Sequence, residues 1–289
     1  MRPLFRTLAH TISGLPLLIC LGAQAEVAPG CQVEIEHEPQ SIAEYQSKAD
    51  AGDACAQFNI GYSYYTNQDY PNTELWYAKA AEQGISRAAF EIAMLYRDNL
   101  LPGGKEHTLH WLEQAAEQGL AMAQTELGYQ YLEDRQSAEE LFIAMSWLEK
   151  AAEQGDAQAQ YLLGEQYWSE SRGTLDMYAS MSYDEATERF TASDSKALYW
   201  LCKAAQNGNE FAQFSLSEAY SRGNGSGMPV DQIQSQLWLE KAAANGDEDA
   251  IAILKNDLAS WQTKAELWVK RQLGDAEPRC PEVALALPQ

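Results

Sequence analysis

One pattern recurs five times along this chain, and its spacing limits the folds that the chain can adopt. A glycine marks each copy, and successive glycines lie 35, 36, 53 and 38 residues apart. A tryptophan stands eight residues before each glycine, an alanine pair lies between the two, and another alanine follows four residues after the glycine. In four copies a small residue follows at position nine and a tyrosine at position twelve. The marking glycines are Gly84, Gly119, Gly155, Gly208 and Gly246, and an earlier unit counted from Gly52 follows the same pattern with Ala56, Gly61 and Tyr64.

This periodicity predicts a stack of helical hairpins. Positions 4, 8 and 12 after the glycine fall on one side of a helix, and position 9 lies beside them. The glycine closes the preceding helix, because it adopts a left-handed conformation without a Cβ clash. Each unit therefore consists of an A helix after the glycine and a B helix before the next one. A single pair cannot bury its apolar face alone, so the pairs should stack into an all-α solenoid.

The five glycine-centred segments carry a family resemblance. They read LWYAKAAEQG, HWLEQAAEQG, SWLEKAAEQG, YWLCKAAQNG and LWLEKAAANG, and YSRGNGSGMPVD follows at 220–231. This pattern resembles the Sel1-like repeat family, whose members are αα-hairpin solenoids related to tetratricopeptide repeats. The resemblance covers about residues 41–246 and implies about five full repeats with flanking half-repeats. It also implies a protein-interaction scaffold, in a family without common catalytic residues.

The first 25 residues have the composition of a cleaved signal peptide. Arg2 and Arg6 precede a mostly apolar stretch, and the small-x-small pattern Ala23-Gln24-Ala25 follows it. The apolar stretch is shorter than the roughly 20 residues of a spanning helix. We therefore expect a signal peptide over 1–25, an N-terminal segment over 26–40, the repeat solenoid over 41–274 and a tail over 275–289. The mature protein should be periplasmic or secreted.

The charge of the chain narrows its class of partner. It carries 42 acidic against 20 basic side chains, a formal net charge of −22. Loss of Arg2 and Arg6 with the signal peptide would make the balance more acidic still. Nucleic acids and anionic membranes are polyanions and would be repelled. The composition favours a protein partner with a basic surface, although acidity also serves simple solubility.

The mature chain would keep four cysteines, which allow three disulfide pairings. Disulfides form in the oxidising compartments outside the cytoplasm, so an even number of cysteines in an exported chain favours them. The terminal repeats of a solenoid also need a cover over their outer faces. Cys55 lies at the start of the first A helix and Cys31 in the segment before the array. Cys202 occupies a position that carries alanine or glutamate in the other copies, which indicates a solvent-facing site open to Cys280 from the tail. We predict Cys31–Cys55 and Cys202–Cys280 bonds.

Residues suited to catalysis or cofactor binding are scarce. His107, His110 and Glu113 have a spacing that would place them along one helix, but a solvated helix start explains them better than a metal site. The glycine-rich stretch at 222–227 follows a helix, so it fits neither a phosphate loop nor a nucleophile elbow. We expect a protein that is not an enzyme and holds neither a metal nor a cofactor.

The outer side of the A helices is the first candidate binding surface. Positions 7, 10, 11 and 14 after each glycine fall within one arc away from the packing side, and they vary between copies. The family resemblance implies that this arc lines the concave groove, where carboxylates around tyrosine and methionine would suit a basic, partly apolar patch. A solvated face would vary in the same way. The predicted contact residues here are Tyr62, Glu91, Met94, Asp98, Glu126, Tyr129, Glu133, Glu165 and Glu218.

The second candidate is the long step between Gly155 and Gly208, which adds about 17 residues near 171–193. This segment contains several aromatic and methionine side chains and is too apolar for a simple spacer. A functional loop and an extension of the next helix are both open readings. Tyr178 and Tyr183 are its predicted contact residues.

Export, array size, acidity and the lack of catalytic motifs favour one specific function, an immunity protein that neutralises a secreted toxin. Some periplasmic antidotes to type VI secretion effectors, including phospholipases, are Sel1-like proteins of this general build. The alternatives are a periplasmic envelope scaffold or regulator and a secreted protein that binds a host protein.

Overall fold

The computed structural model describes residues 42–134, 137–171, 183–223, 228–255, 261–274 and 276–281. Thirteen α-helices and no strands lie in these ranges. In chain order the helices are α1 (Ile42–Asp50), α2 (Ala54–Thr66), α3 (Tyr70–Glu82), α4 (Ser86–Arg97), α5 (Gly104–Glu117), α6 (Ala121–Glu133), α7 (Ala138–Glu153), α8 (Ala157–Ser171), α9 (Tyr183–Gln206), α10 (Glu210–Arg222), α11 (Gln232–Ala244), α12 (Glu248–Lys255) and α13 (Trp261–Gln272).

The helices form the predicted solenoid of A and B helices. The A helices are α2, α4, α6, α8, α10 and α12, and each B helix lies between two of them in the chain. Every helix from α1 to α11 packs against the next one, so contacts run almost entirely between sequence neighbours. The core is correspondingly a series of clusters along the stack. The predicted all-α repeat fold is confirmed.

The junction between α7 and α8 shows the roles of the marking glycine and of the residue after it. Gly155 has a φ of +91°, a left-handed conformation that a side chain would strain. The side chain of Asp156 then caps α8, because its Oδ1 accepts a hydrogen bond from the Ala159 amide at 2.8 Å. The glycine ends one helix and the aspartate starts the next.

Position 9 lies where two helices come closest. A Cβ built on Gly128 would lie 2.7 Å from Leu148 Cγ and 3.1 Å from the carbonyl oxygen of Ala144. Both neighbours belong to α7, so the absence of a side chain on α6 permits this approach. The small residue of the sequence pattern is a packing requirement.

Buried glutamines connect successive units, and the sequence analysis missed them. Gln160 is 3% exposed, donates to the Ala152 carbonyl at 2.9 Å and accepts from Asn207 Nδ2 at 2.9 Å. The same arrangement joins Gln57 to Gln83, Gln124 to Gln154 and Gln213 to Asn245. The second unit has Ala89 at this position and cannot form the bond. The sequence signal for these glutamines was the Ala-Gln pair that recurs at positions 4 and 5.

The C-terminal tail lies across the stack. Residues 276–281 are non-helical, and a disulfide joins Cys280 to Cys202 with Cα atoms 5.8 Å apart. This predicted bond is confirmed, but Cys202 is only 4% exposed, because the tail covers the position expected to face solvent. Cys55 is also disulfide-bonded. Its expected partner Cys31 lies outside the described residues, as do the predicted signal peptide and segment 26–40.

Part of the predicted insertion is helical. Residues 183–193 form the first part of α9, a helix of 24 residues, in agreement with the helix-extension reading. Residues 172–182 lie outside the described part of the chain. Among the helices that the structure describes, none combines the length and apolar character of a membrane span.

Candidate protein-binding face

One side of the A helices forms a continuous surface, which we call the A face. It consists of positions 3, 7, 10 and 14 after each marking glycine, which lie one turn apart along each helix. Their side chains are half-buried or exposed. From α4 to α10 the A face contains Arg87, Glu91, Met94, Asp98, Met122, Glu126, Tyr129, Glu133, Gln158, Leu162, Glu165, Ser169, Phe211, Ser215, Glu218 and Arg222.

Side chains of adjacent A helices meet on this face. Arg97 of α4, at position 13 beside the A face, lies 3.5 Å from Glu126 of α6. Ser215 of α10 donates to Glu165 of α8 at 3.2 Å. Arg87 Nη1 of α4 lies 3.4 Å from the Met122 sulfur of α6. The predicted residues of different repeats therefore belong to one surface.

Arginines hold several of the predicted carboxylates, a feature that the sequence analysis did not weigh. Arg87 pairs with Glu91 at 2.5 Å, and Arg222 pairs with Glu218 at 2.9 Å. Arg97 also contacts Asp98, at 3.0 Å. The A face contains six carboxylates and two guanidinium groups, and Arg97 adds a third guanidinium group at its edge. Its net charge is therefore negative, but smaller than the carboxylates alone indicate.

The middle of the A face presents two carboxylates that accept hydrogen bonds from hydroxyl groups. Tyr129 donates to Glu133 at 2.6 Å, and Ser215 donates to Glu165. Burial, followed by the hydrogen bond to Glu133, raises the pKa of Tyr129 above its usual range, so the phenol stays protonated and donates at neutral pH. These groups can accept further hydrogen bonds from a cationic side chain of a partner.

Two exposed apolar side chains lie on the A face, and the sequence analysis missed them. Met122 is 43% exposed and Phe211 is 40% exposed, both at position 3. The Phe211 ring lies 5.7 Å from the ring of Tyr161, whose burial raises its pKa. Position 3 precedes position 7 by one helical turn, so extending the predicted arc by one turn would have found both exposed residues.

The structure corrects two further details of the predicted arc. Position 11 is buried in three units, at Ser63, Leu95 and Ala219, so it belongs there to the packed interior and not to the exposed arc. Tyr62 and Met94 are half-buried and pack against the first core cluster, so only part of each side chain is open to a partner.

The structure does not describe the side chains of the two predicted contact residues of the insertion. Tyr178 lies outside the described residues. Tyr183 is the first residue of α9, and its side chain is not among those described. Both remain predictions.

The histidines of α5 have structural neighbours. The His107 ring stacks on Tyr96 at 4.8 Å, and the His110 ring lies edge-on to Trp111 at 5.4 Å. Glu113 accepts from Tyr131 at 3.5 Å. Within the described ranges, no group of three or more His, Cys, Asp or Glu side chains could hold a metal ion.

Comparison with known proteins identifies the repeat. The Sel1 repeat model matches residues 56–85, 86–120, 121–156, 157–172, 187–209 and 211–247, which is more than half of the chain. No match was found among curated proteins.

Two solved structures resemble the chain over most of its length. A protective antigen of uropathogenic Escherichia coli with an SLR fold shares 27% identity at a TM-score of 0.62 and covers 88% of this chain. The match spans only 53% of the antigen's own length. A Sel1 repeat protein from Oxalobacter formigenes shares 29% identity at a TM-score of 0.52 over 70% of this chain and 75% of that one.

A more distant similarity links the chain to an immunity protein of Pseudomonas aeruginosa. The two share 20% identity at a TM-score of 0.45, over 72% of this chain and 73% of that protein. At that distance the likeness carries no argument about what this chain binds.

Proposed function

This chain belongs to the Sel1 repeat family, and we propose that it is a non-catalytic solenoid that binds a basic partner protein on its A face. The observation that supports this proposal most is the junction of α8 and α10 on that face, where Ser215 donates to Glu165 and exposed Phe211 lies one helical turn before Ser215. Carboxylates beside accessible apolar side chains suit a partner patch with lysine or arginine around an apolar centre. The strong net negative charge of the chain would speed the encounter with such a partner.

Within this class we propose that the partner is a secreted toxin, and that the chain is its antidote in the periplasm. The support is the signal peptide expected over 1–25 together with the acidity and size of the array. An antidote should be encoded beside its toxin, whereas an envelope scaffold or a host-binding protein need not be. Deletion of an antidote should make cells sensitive to the neighbouring secreted enzyme.

The test is a pull-down of the mature chain from the envelope and secreted fractions of its own organism. The variant combines Glu133→Lys with Glu165→Lys, because reversing Glu91 or Glu126 would also remove the partner of an arginine. The matched control combines Glu82→Lys with Glu266→Lys, two exposed residues off the A face with the same change in net charge.

The expected result is capture of a basic secreted enzyme whose activity the wild-type chain inhibits. The control should retain the capture and the A-face variant should lose at least tenfold in affinity. Equal capture by both variants would show that the A face is not the binding surface. Capture of envelope assembly proteins without inhibition of an enzyme would contradict the antidote and favour a scaffold.

A further inference from the structure

The C-terminal tail shows how the B-helix side of this solenoid holds a non-helical segment. Residues 276–281 lie between α9 and α11, two B helices, over Tyr220 of α10. The Arg279 carbonyl accepts hydrogen bonds from Tyr220 Oη at 2.7 Å and Trp238 Nε1 at 3.0 Å. The Arg279 amide donates to Gln234 Oε1 at 2.7 Å. Solenoid side chains thus hold the main chain of the segment, while the disulfide anchors the next residue.

The tyrosine and the tryptophan of this site are repeat positions, so a related groove, with Ile143 in place of Gln234, exists elsewhere in the stack. Between α5 and α7 the equivalent residues are Tyr131 and Trp147, and we call this site the Tyr131 groove. Lys150 lies over the Trp147 ring, as Lys241 lies over the ring of Trp238. The two tryptophans therefore occupy comparable environments.

The Tyr131 groove is open where the tail groove is filled. Under the tail, Tyr220 is 6% exposed and Trp238 is 1% exposed. Tyr131 and Trp147 are both half-buried. A phenol and an indole, which bind a peptide carbonyl in one groove, are accessible in the other.

Its neighbour along the stack is not equivalent. Over Tyr96 the His107 ring stacks on the phenol ring, and the hydroxyl of Tyr96 donates to Glu74. Tyr96 is only 6% exposed as a result. This comparison excludes the Tyr96 groove.

At the neighbour on the other side, Tyr167 donates to Glu149 at 3.2 Å. Lys196 lies over the Tyr167 ring at 5.1 Å, and this positive charge disfavours a basic segment. The Tyr131 groove is therefore the better receptor for a basic segment.

Charge indicates which segment would fit. Glu113 occupies in the Tyr131 groove the position that Cys202 occupies under the tail, and it is exposed. Glu140 adds a second negative charge near Tyr131. A residue placed like Cys280 would therefore face a carboxylate instead of a cysteine, and a lysine or arginine there would form a charge-assisted hydrogen bond.

We propose that the Tyr131 groove binds a non-helical segment of a partner protein with a basic residue opposite Glu113. Tyr131 and Trp147 hold the main chain of the segment, and Glu113 selects the basic side chain. The groove lies on the B-helix side of the stack, so this interaction is separate from the one proposed for the A face. Charge reversal at Glu133 and Glu165 should leave it unchanged.

The first test measures selectivity with two peptides derived from the tail sequence AEPRCP. In one peptide arginine replaces the cysteine, and in the other glutamate replaces it. We expect the arginine peptide to shift the indole N–H resonance of Trp147 in a saturable manner and to bind at least fivefold more tightly than the glutamate peptide. Glu113→Lys should reverse the preference, while Glu82→Lys should not change it.

No saturable shift at millimolar peptide, or a preference that Glu113→Lys leaves unchanged, would overturn the proposal. A second measurement avoids any dependence on weak affinity. Glu113→Cys recreates the cysteine of the tail groove, and Met122→Cys places an exposed cysteine on the A face as its matched control. The AEPRCP peptide, activated as a mixed disulfide, should couple to the Glu113→Cys variant at least tenfold faster, after correction for thiol reactivity. Equal corrected rates would show that the Tyr131 groove does not position the segment.

Discussion

Two grooves on the B-helix side of this solenoid are built from the same repeat positions and differ in what covers them. Over Tyr220 the C-terminal tail fills the groove, and Trp238 is 1% exposed. Over Tyr131 no described segment lies in the groove, and Trp147 is half-buried. The repeat determines which side chains line a groove, whereas a non-repeating segment determines whether those side chains are core or surface.

One repeat position accounts for much of this difference. At six residues before the marking glycine, the tail groove has Cys202 and the Tyr131 groove has Glu113. The cysteine fixes the tail covalently, and the glutamate instead accepts from the tyrosine of its own groove. The same architecture therefore supports a closed end and an open middle.

The largest expected contrast is between the two tryptophans. Trp238→Ala should destabilise the protein by about 3–5 kcal/mol, because it removes a fully buried indole and leaves a cavity. Trp147→Ala should lower the free energy of unfolding by only about 1–2 kcal/mol, because the half-buried ring loses less area from the interior. Denaturant unfolding of both variants measures the contrast. Equal losses would mean that the tail does not convert its groove into core.

Loss of the disulfide should have the next largest effect on stability. Cys202→Ser combined with Cys280→Ser should destabilise the protein by about 2–4 kcal/mol, because a crosslink spanning 78 residues no longer restricts the unfolded chain. Fluorescence quenching of Trp238 by acrylamide should rise in the same variant, while quenching of Trp147 should not. Unchanged quenching of Trp238 would show that Tyr220 and Gln234 hold the tail without the crosslink.

Substitutions at position 9, beneath the two grooves, should have a smaller effect on stability. Gly128→Leu should destabilise the protein by about 1–3 kcal/mol through overpacking, since even a Cβ there would lie 2.7 Å from Leu148. Ser217 is the equivalent residue under the tail groove, so Gly128→Ser is the matched milder change. The melting temperature of the Gly128→Leu variant should be lower than that of the Gly128→Ser variant. A leucine variant as stable as the wild type would contradict the close approach of α6 and α7.

The smallest contrast concerns the two phenols. Tyr220→Phe should destabilise the protein by about 1 kcal/mol, because the buried Arg279 carbonyl loses a donor, whereas Tyr131→Phe removes only a long, accessible bond. Unfolding free energies at pH 7 measure this difference. Equal effects of the two changes would mean that the tail bond contributes nothing.

The same phenol should affect stability at alkaline pH. Burial, followed by the charge of Asp231, raises the pKa of Tyr220 to about 12. The folded state therefore favours the neutral phenol, which adds stability below the unfolded pKa of about 10, and this contribution disappears as the pH rises towards 12. Melting temperatures should fall less steeply between pH 10 and pH 12 in Tyr220→Phe than in the wild type. Parallel curves would contradict this assignment.

Much of the architecture could be predicted because it follows from local periodicity. The spacing of Trp147, Gly155 and Ala159 defined a helix, its end and the next helix, and the structure follows that order. The Cys202–Cys280 bond was also within reach, because a cysteine at a repeat position is conspicuous. The buried Gln160 was not predicted, since a glutamine on a helix is ordinarily read as a surface residue.

The position of the candidate surface could be predicted from the sequence, but its net charge could not. The arc of positions 7, 10 and 14 follows from helical geometry, and it contains Glu126 and Tyr129 as expected. The arginines that hold its carboxylates were not foreseen, because Arg97 reaches Glu126 on the next A helix. Contacts between repeats depend on how far one helix pair is displaced from the next. The spacing of residues within one repeat gives no information about that displacement.

The sequence by itself determined the helices, their alternation and the small residues at their closest approach, because these depend on neighbours within one repeat. Only the tertiary structure decided which equivalent residues are buried. Trp147 and Trp238 obey the same pattern, yet a tail from 41 residues further along the chain covers one of them through Arg279. Burial depends on every segment that reaches a surface, including those outside the repeat, and local periodicity carries no information about their paths.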